Sequence, residues 1–168
     1  TYYLEHPILL DTQDSGTEQH PFTISSFPGE KVIISGGQKL ALDWRPYQNG
    51  IMQAKVPAGL PFDQFFLNEQ KQIRARYPNY DPSVEIYHGF SADAIAPERV
   101  SSWAEPTGGY VHAMHRAHWG GYHYEITGVQ EDGELELIGG YQNNRQMGMH
   151  KEYRFVENIF EELDAPGE

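Results

Sequence analysis

The chain has 168 residues, with 12 Lys plus Arg against 24 Asp plus Glu, a formal charge of −12, and no cysteine. That balance repels a phosphate backbone and sets nucleic acid aside as a partner, and the lack of thiols excludes disulfides, thiolate metal sites and thiol nucleophiles. No apolar run approaches the roughly 20 residues that cross a bilayer, so no membrane span is expected, and a mixture of 11 Tyr, 8 Phe, 3 Trp, 17 Gly and 11 Pro favours short pleated strands punctuated by turns.

From the first residue, short strands are predicted at Tyr2 to Leu4, Ile8 to Leu10, Phe22 to Ser25 and Lys31 to Ser35, each ended by Pro or Gly signals. Val32-Ile33-Ile34 is a continuous apolar run, which suits a strand buried in a stacked architecture. Asp11, Asp14 and Ser15 superficially resemble an oxygen-ligand loop but lack the remaining calcium ligands and spacing, and Asp14-Ser15-Gly16 is better explained as a turn between two short strands, with an Asp side chain bonding its own backbone. Asn49-Gly50 predicts a hairpin leading into a strand over Ile51 to Val56. After Pro57 and Pro61, Gln64 to Asn68 and Lys71 to Arg76 predict a second hairpin with Glu69-Gln70 at its turn.

From Tyr77 to Pro106 there is no sustained periodicity beyond a short helix near Ser91 to Ala94 or Pro97 to Val100, and a long surface excursion is expected. Strands follow over Tyr110 to Trp119, Tyr122 to Thr127, Leu135 to Ile138 and Tyr153 to Ile159, with a short turn or helix through Phe160 to Leu163.

Phe65-Phe66-Leu67-Asn68-Glu69-Gln70-Lys71-Gln72 followed by Arg74-Ala75-Arg76-Tyr77-Pro78-Asn79 resembles a signature of bacterial right-handed parallel β-helix, pectin-lyase-like carbohydrate-active proteins. Residues 21–30 and 32–37 are similar to their opening coils, and residues 154–158 and 161–168 to the segment preceding their main helix. The resemblance implies a mostly β fold: the start of a right-handed parallel β-helix over residues 1–37, an inserted β-barrel or sandwich-like unit over 38–152, and a return strand toward the β-helix over 153–168. It also implies a periplasmic or extracellular fragment of a longer glycoside hydrolase of the fucosidase or xylanase type. In such proteins the catalytic acids generally sit on later coils, so no catalytic residue is carried over to this chain; no cofactor is expected, nor, on the ligand spacing of its histidines, a metal. The expected partners are a polysaccharide or oligosaccharide and the remainder of the parent β-helix chain.

The conspicuous cluster is His112, His115, His118 and His123, with Trp119 and Tyr122 among them. On a strand, His112, Met114 and His118 point one way and His115 and Trp119 the other. No two His stand four apart with a Glu between, as a zinc-protease helix requires, and a metal-assisted hydrolase is therefore the weakest reading. Aromatic faces with polar tips suit the apolar face and hydroxyls of a sugar; hydrogen-bonded packing within a β domain is the bland alternative. The candidate ligand surface is Trp103, His112, His115, His118, Trp119, Tyr122 and His123, with Arg74, Arg76 and Tyr77 second. Arg74 and Arg76 share a strand face and suit either an acidic sugar or, in so acidic a chain, structural carboxylates. The fragment is expected to shape or gate a glycan cleft, or else to cap the β-helix.

Overall fold

The computed structural model describes residues 1–60 and 62–168; Pro61, named above as preceding the second hairpin, lies outside the described residues. The chain is mostly β and divides into two compact units, Thr1–Pro61 and Phe62–Glu168.

In the first unit β1 (Tyr2–Tyr3) pairs in parallel with β2 (Ile34–Ser35), with Tyr2 opposite Ile34. The backbone N–H of Tyr2 donates to Ile33 O at 2.8 Å and that of Leu4 to Ser35 O at 2.8 Å. The segments 8–10 and 22–25 do not form the strands expected of them, and the strand expected over 31–35 shortens to Ile34–Ser35. An isolated strand segment with no neighbour on either side leaves its amides to water and gains nothing from its branched side chains. Asn49 and Gly50 both take positive φ, 51° and 82°, and turn β3 (Arg45–Pro46) into β4 (Met52–Gln53), the hairpin that Asn-Gly announces. A 3₁₀ turn at Thr12–Asp14 is capped reciprocally: Asp11 Oδ1 accepts from Gln13 N–H at 2.7 Å, and Asp14 Oδ2 accepts from Asp11 N–H at 2.9 Å. The two carboxylates serve a turn that lies ahead of the expected Asp14-Ser15-Gly16 and is not flanked by the expected strands. No described residue of this unit is buried, and Leu9, Ile24 and Phe27 stand in solvent.

The second unit opens with the hairpin β5 (Phe66–Leu67) to β6 (Gln70–Lys71). Its turn residues are Asn68 and Glu69, both at positive φ, one position earlier than the predicted Glu69-Gln70. The remaining strands are β7 (Arg76–Tyr77), β8 (Tyr110–His115), β9 (Gly121–Val129), β10 (Leu135–Gly139), the small hairpin β11 (Tyr141–Gln142) and β12 (Arg145–Gln146), and β13 (Met149–Glu157). A five-stranded antiparallel sheet runs β10-β9-β8-β13-β7, so the last strand is inserted between β8 and β7. Residues 153–157, expected as a return strand toward a β-helix, thus lie inside this sheet. Among the described residues the sheet does not close into a barrel, because β10 and β7 remain its two edges.

Period-two patterning explains the core. Val111, Ala113 and His115 of β8, Tyr124 and Ile126 of β9, and Val156 of β13 point to one face. They pack against Ala94, Val100, Trp103 and Ile159. The stretch expected as a surface excursion therefore covers the sheet: its apolar residues are too widely spaced for a periodic signal, and helix α1 (Pro97–Val100), opened by its proline, delivers Val100 to the core. Gly139 and Gly140 let β10 turn tightly over the core. Gly140 has φ 64°, and a Cβ there would lie 2.1 Å from Tyr124 Cε1, a ring held in place by its hydroxyl, which donates to Met147 O at 2.7 Å.

Candidate functional site

The β8–β9 hairpin carries the histidine cluster, and the pleat divides it. His115 lies on the core face with Val111 and Ala113, whereas His112 lies on the opposite face with Tyr110 and Met114. The strand ends at His115, and the turn that follows is closed by the His118 N–H donating to His115 O at 2.7 Å, with His118 at φ 59°.

On the core side, Trp119 is 77% exposed, yet its indole stacks on His115, itself only 2% exposed, at 4.8 Å between centroids and 16° between planes. Ala117 N–H donates to His115 Nδ1 at 3.0 Å. A neutral His115 therefore carries its proton on Nε2, and this buried nitrogen has no hydrogen-bond partner in the protein. Tyr122 meets the His115 ring at 5.8 Å and donates its hydroxyl to Gln142 Oε1 at 2.7 Å. Trp119, His115 and Tyr122 thus form one aromatic group with an exposed flat face. His118 belongs elsewhere, because its ring meets His150 at 4.6 Å and Tyr153 at 5.2 Å.

On the other face, His112 and His123 are direct cross-strand partners whose rings meet at 4.6 Å, with the two Nδ1 atoms in contact. His112 also stacks on Phe155, at 4.5 Å and 14°. Its Nε2 lies 3.1 Å from Glu157 Oε1, at ion-pair distance but off the line of a well-aligned hydrogen bond. Arg74 Nη1 donates to the same Oε1 at 3.0 Å, and Arg74 Nη2 to Asp63 Oδ1 at 2.7 Å.

Burial by itself would push the Glu157 carboxyl up, but the neighbouring His112 ring and the Arg74 guanidinium outweigh it and hold it below the usual 4.5. A carboxylate depressed in the folded state stabilises the fold fully above its unfolded value, and this contribution is lost as the pH falls through the folded value. Stability measured by urea titration at stepped pH is therefore expected to decline below about 4.5, and Glu157→Gln to flatten that part of the decline. An unchanged acid limb in the variant would show that Glu157 plays no part in it. His123 is held below 6.5 because its ring is partly removed from water and faces His112, so its neutral form is favoured in the fold.

No family model matches this chain, and no curated protein or solved structure matches it. The site is accordingly read from its own geometry.

Arg74 finds carboxylates, Glu157 and Asp63. Arg76 is 4% exposed and donates to three backbone carbonyls instead: Nε to Pro78 at 2.9 Å, Nη1 to Tyr87 at 3.0 Å and Nη2 to Gly89 at 2.9 Å. Its Cζ lies 4.0 Å from the Phe155 ring centroid, which leaves it inside the fold. Trp103 is likewise buried, its indole N–H donating to Glu162 Oε1 at 2.7 Å. Tyr77 donates its hydroxyl to Asp93 at 3.1 Å and lies under the Arg99 guanidinium. The ten candidates therefore do not converge on one surface. Among the described residues no group of three or more His, Cys, Asp or Glu side chains is placed to hold a metal ion.

Glu157, Phe155, His150 and Tyr153 join the cluster without any signal in the sequence that places them there. All four lie on β13, and nothing local in residues 149–157 says that this strand pairs with β8.

Proposed function

We propose that this chain is a non-catalytic, glycan-reading part of a secreted bacterial β-helix protein that degrades polysaccharide. The observation that carries the reading is Trp119: an exposed indole held flat on a buried histidine. A large apolar side chain left in solvent is ordinary; one fixed in orientation by stacking is ready for a planar, partly apolar ligand. The Tyr122–Gln142 pair supplies polar groups beside it, which suits a sugar ring with one apolar face and a rim of hydroxyls. Their small number suits recognition better than bond cleavage.

The full chain on an array of plant and host polysaccharides is expected to bind at least one glycan. Trp119→Ala is expected to weaken that binding about tenfold or more, the loss of roughly 1–2 kcal/mol of stacking and contact, as read by titration calorimetry. His118→Ala, whose ring is engaged by His150 and Tyr153, is expected to change it far less. Near-ultraviolet circular dichroism checks that both variants are folded. Equal losses in the two would refute the assignment to Trp119.

A second reading, a structural part of a β-helix, is favoured by the first unit. Its parallel β1–β2 pairing is connected by one 3₁₀ turn and no α-helix among the described residues, and its apolar side chains at Leu9, Ile24 and Phe27 are uncovered. If the chain binds no glycan, this is the reading that remains, with the remainder of the parent chain as the partner.

A further inference from the structure

On the face of the sheet away from the core, β9, β8 and β13 bring His123, His112 and Phe155 into one row. Two imidazole nitrogens in contact require one proton between them, since two lone pairs or two N–H groups would repel. The His112 and His123 Nδ1 atoms are in that position. On its other side, His112 Nε2 stands 3.1 Å from Glu157 Oε1, and a carboxylate oxygen this close favours a proton on Nε2. A neutral His112 protonated at Nε2 has a lone pair at Nδ1. The shared proton then resides on His123 Nδ1, and His123 Nε2, on an exposed residue, carries a bare lone pair.

We propose that Glu157, His112 and His123 form a proton-accepting relay whose outer atom, His123 Nε2, takes the proton of a neutral hydroxyl donor, an alcohol or water. When Nε2 accepts that proton, the proton on His123 Nδ1 passes to His112 Nδ1. His123 ends neutral, His112 ends as an imidazolium beside the Glu157 carboxylate, and the O–H bonding pair stays on the ligand oxygen. The positive charge is thus held on the inner ring, next to its counter-ion. Arg74 fixes Glu157 from the far side and divides its own charge between Glu157 and Asp63.

The ligand class follows from the surroundings. The charged groups around the two rings are Glu157 on β13, which faces His112; Arg74, which pairs with Glu157 and Asp63; Arg76 of β7, over the Phe155 ring; and Glu125, two residues beyond His123 on the same face of β9. Tyr110 on β8 and Tyr87, whose ring meets Phe155 at 5.2 Å, are the neighbouring phenols. Arg74 and Arg76 stand against Glu157, Asp63 and Glu125, so no positive excess selects an anion, and the bare lone pair on His123 Nε2 calls for a hydrogen-bond donor. The relay is independent of the glycan surface at Trp119, which lies with His115 on the other side of the pleat.

The test uses the proton itself as the probe, following the imidazole nitrogens of the full chain by nitrogen-15 NMR across a pH titration. Above the ordinary imidazole range, His123 is expected as the Nδ1–H form, the reverse of the Nε2–H form that a free neutral imidazole prefers. On acidification the first proton is expected to move the His112 and His123 signals together with one midpoint. Glu157→Gln is expected to lower that midpoint by about one pH unit or more, as loss of a neighbouring carboxylate requires. His123 in the Nε2–H form, or two rings titrating independently at full amplitude, would overturn the relay. An unmoved midpoint in folded Glu157→Gln would remove Glu157 from it. The tautomer is read in the unaltered protein, so the test does not depend on whether a variant folds.

Discussion

Arg76→Ala is expected to destabilise the second unit by about 4 kcal/mol, a large share of the roughly 5–15 kcal/mol that holds a domain of ordinary size together. The guanidinium is buried and donates to Pro78, Tyr87 and Gly89 carbonyls, so its planar fork gathers the segment after β7 around one point. Burial pushes its pKa down, while Glu157 and Glu168 act in the opposite direction; a guanidinium remains charged throughout the working range. Truncation leaves three carbonyls without their donor and uncovers the Phe155 ring that the cation overlies at 4.0 Å. Hydrogen bonds from a charged group contribute about 1.5–3 kcal/mol each, and three that share one donor do not add in full. Arg76→Lys is expected to recover less than half of the loss, since an ammonium cannot reproduce the fork. Urea unfolding of both variants gives the comparison; an unchanged midpoint in Arg76→Ala would mean that water replaces the guanidinium without penalty.

Glu162→Ala is expected to lower stability by about 3 kcal/mol. This buried carboxylate accepts from Trp103 Nε1 at 2.7 Å and from Arg99 Nη1 at 3.1 Å, tying the 3₁₀ turn Phe160–Glu162 to α1 and to the core tryptophan. Without it, an indole N–H is stranded in the interior and the Arg99 charge loses its nearest partner, with Asp93 4.0 Å away. Glu162→Gln keeps an acceptor for Trp103 but removes the charge that faces Arg99, and about half the loss is expected. Thermal unfolding followed by tryptophan fluorescence reads both variants. Equal stability of Ala and Gln variants would show that the indole hydrogen bond contributes nothing.

The local and periodic features of this protein are legible in the order of its residues. Asn49-Gly50 announced its hairpin because two consecutive positive-φ residues are what a tight turn between twisted strands needs. The alternation in residues 110–115 placed His112 and His115 on opposite faces, because side chains on a strand repeat every second residue whatever the strand packs against. The acidic excess and the missing cysteines removed whole classes of chemistry. Tertiary structure alone decided which strands meet and which face is covered. Glu157 reaches His112 only because β13 is inserted between β8 and β7, a pairing between segments far apart in the chain that no local pattern encodes. Arg76 and Trp103, both chosen as surface candidates, are interior because their polar atoms find partners there, three carbonyls for one and Glu162 for the other. A polar side chain is buried when its hydrogen bonds are satisfied on folding, and that condition is met or missed in three dimensions.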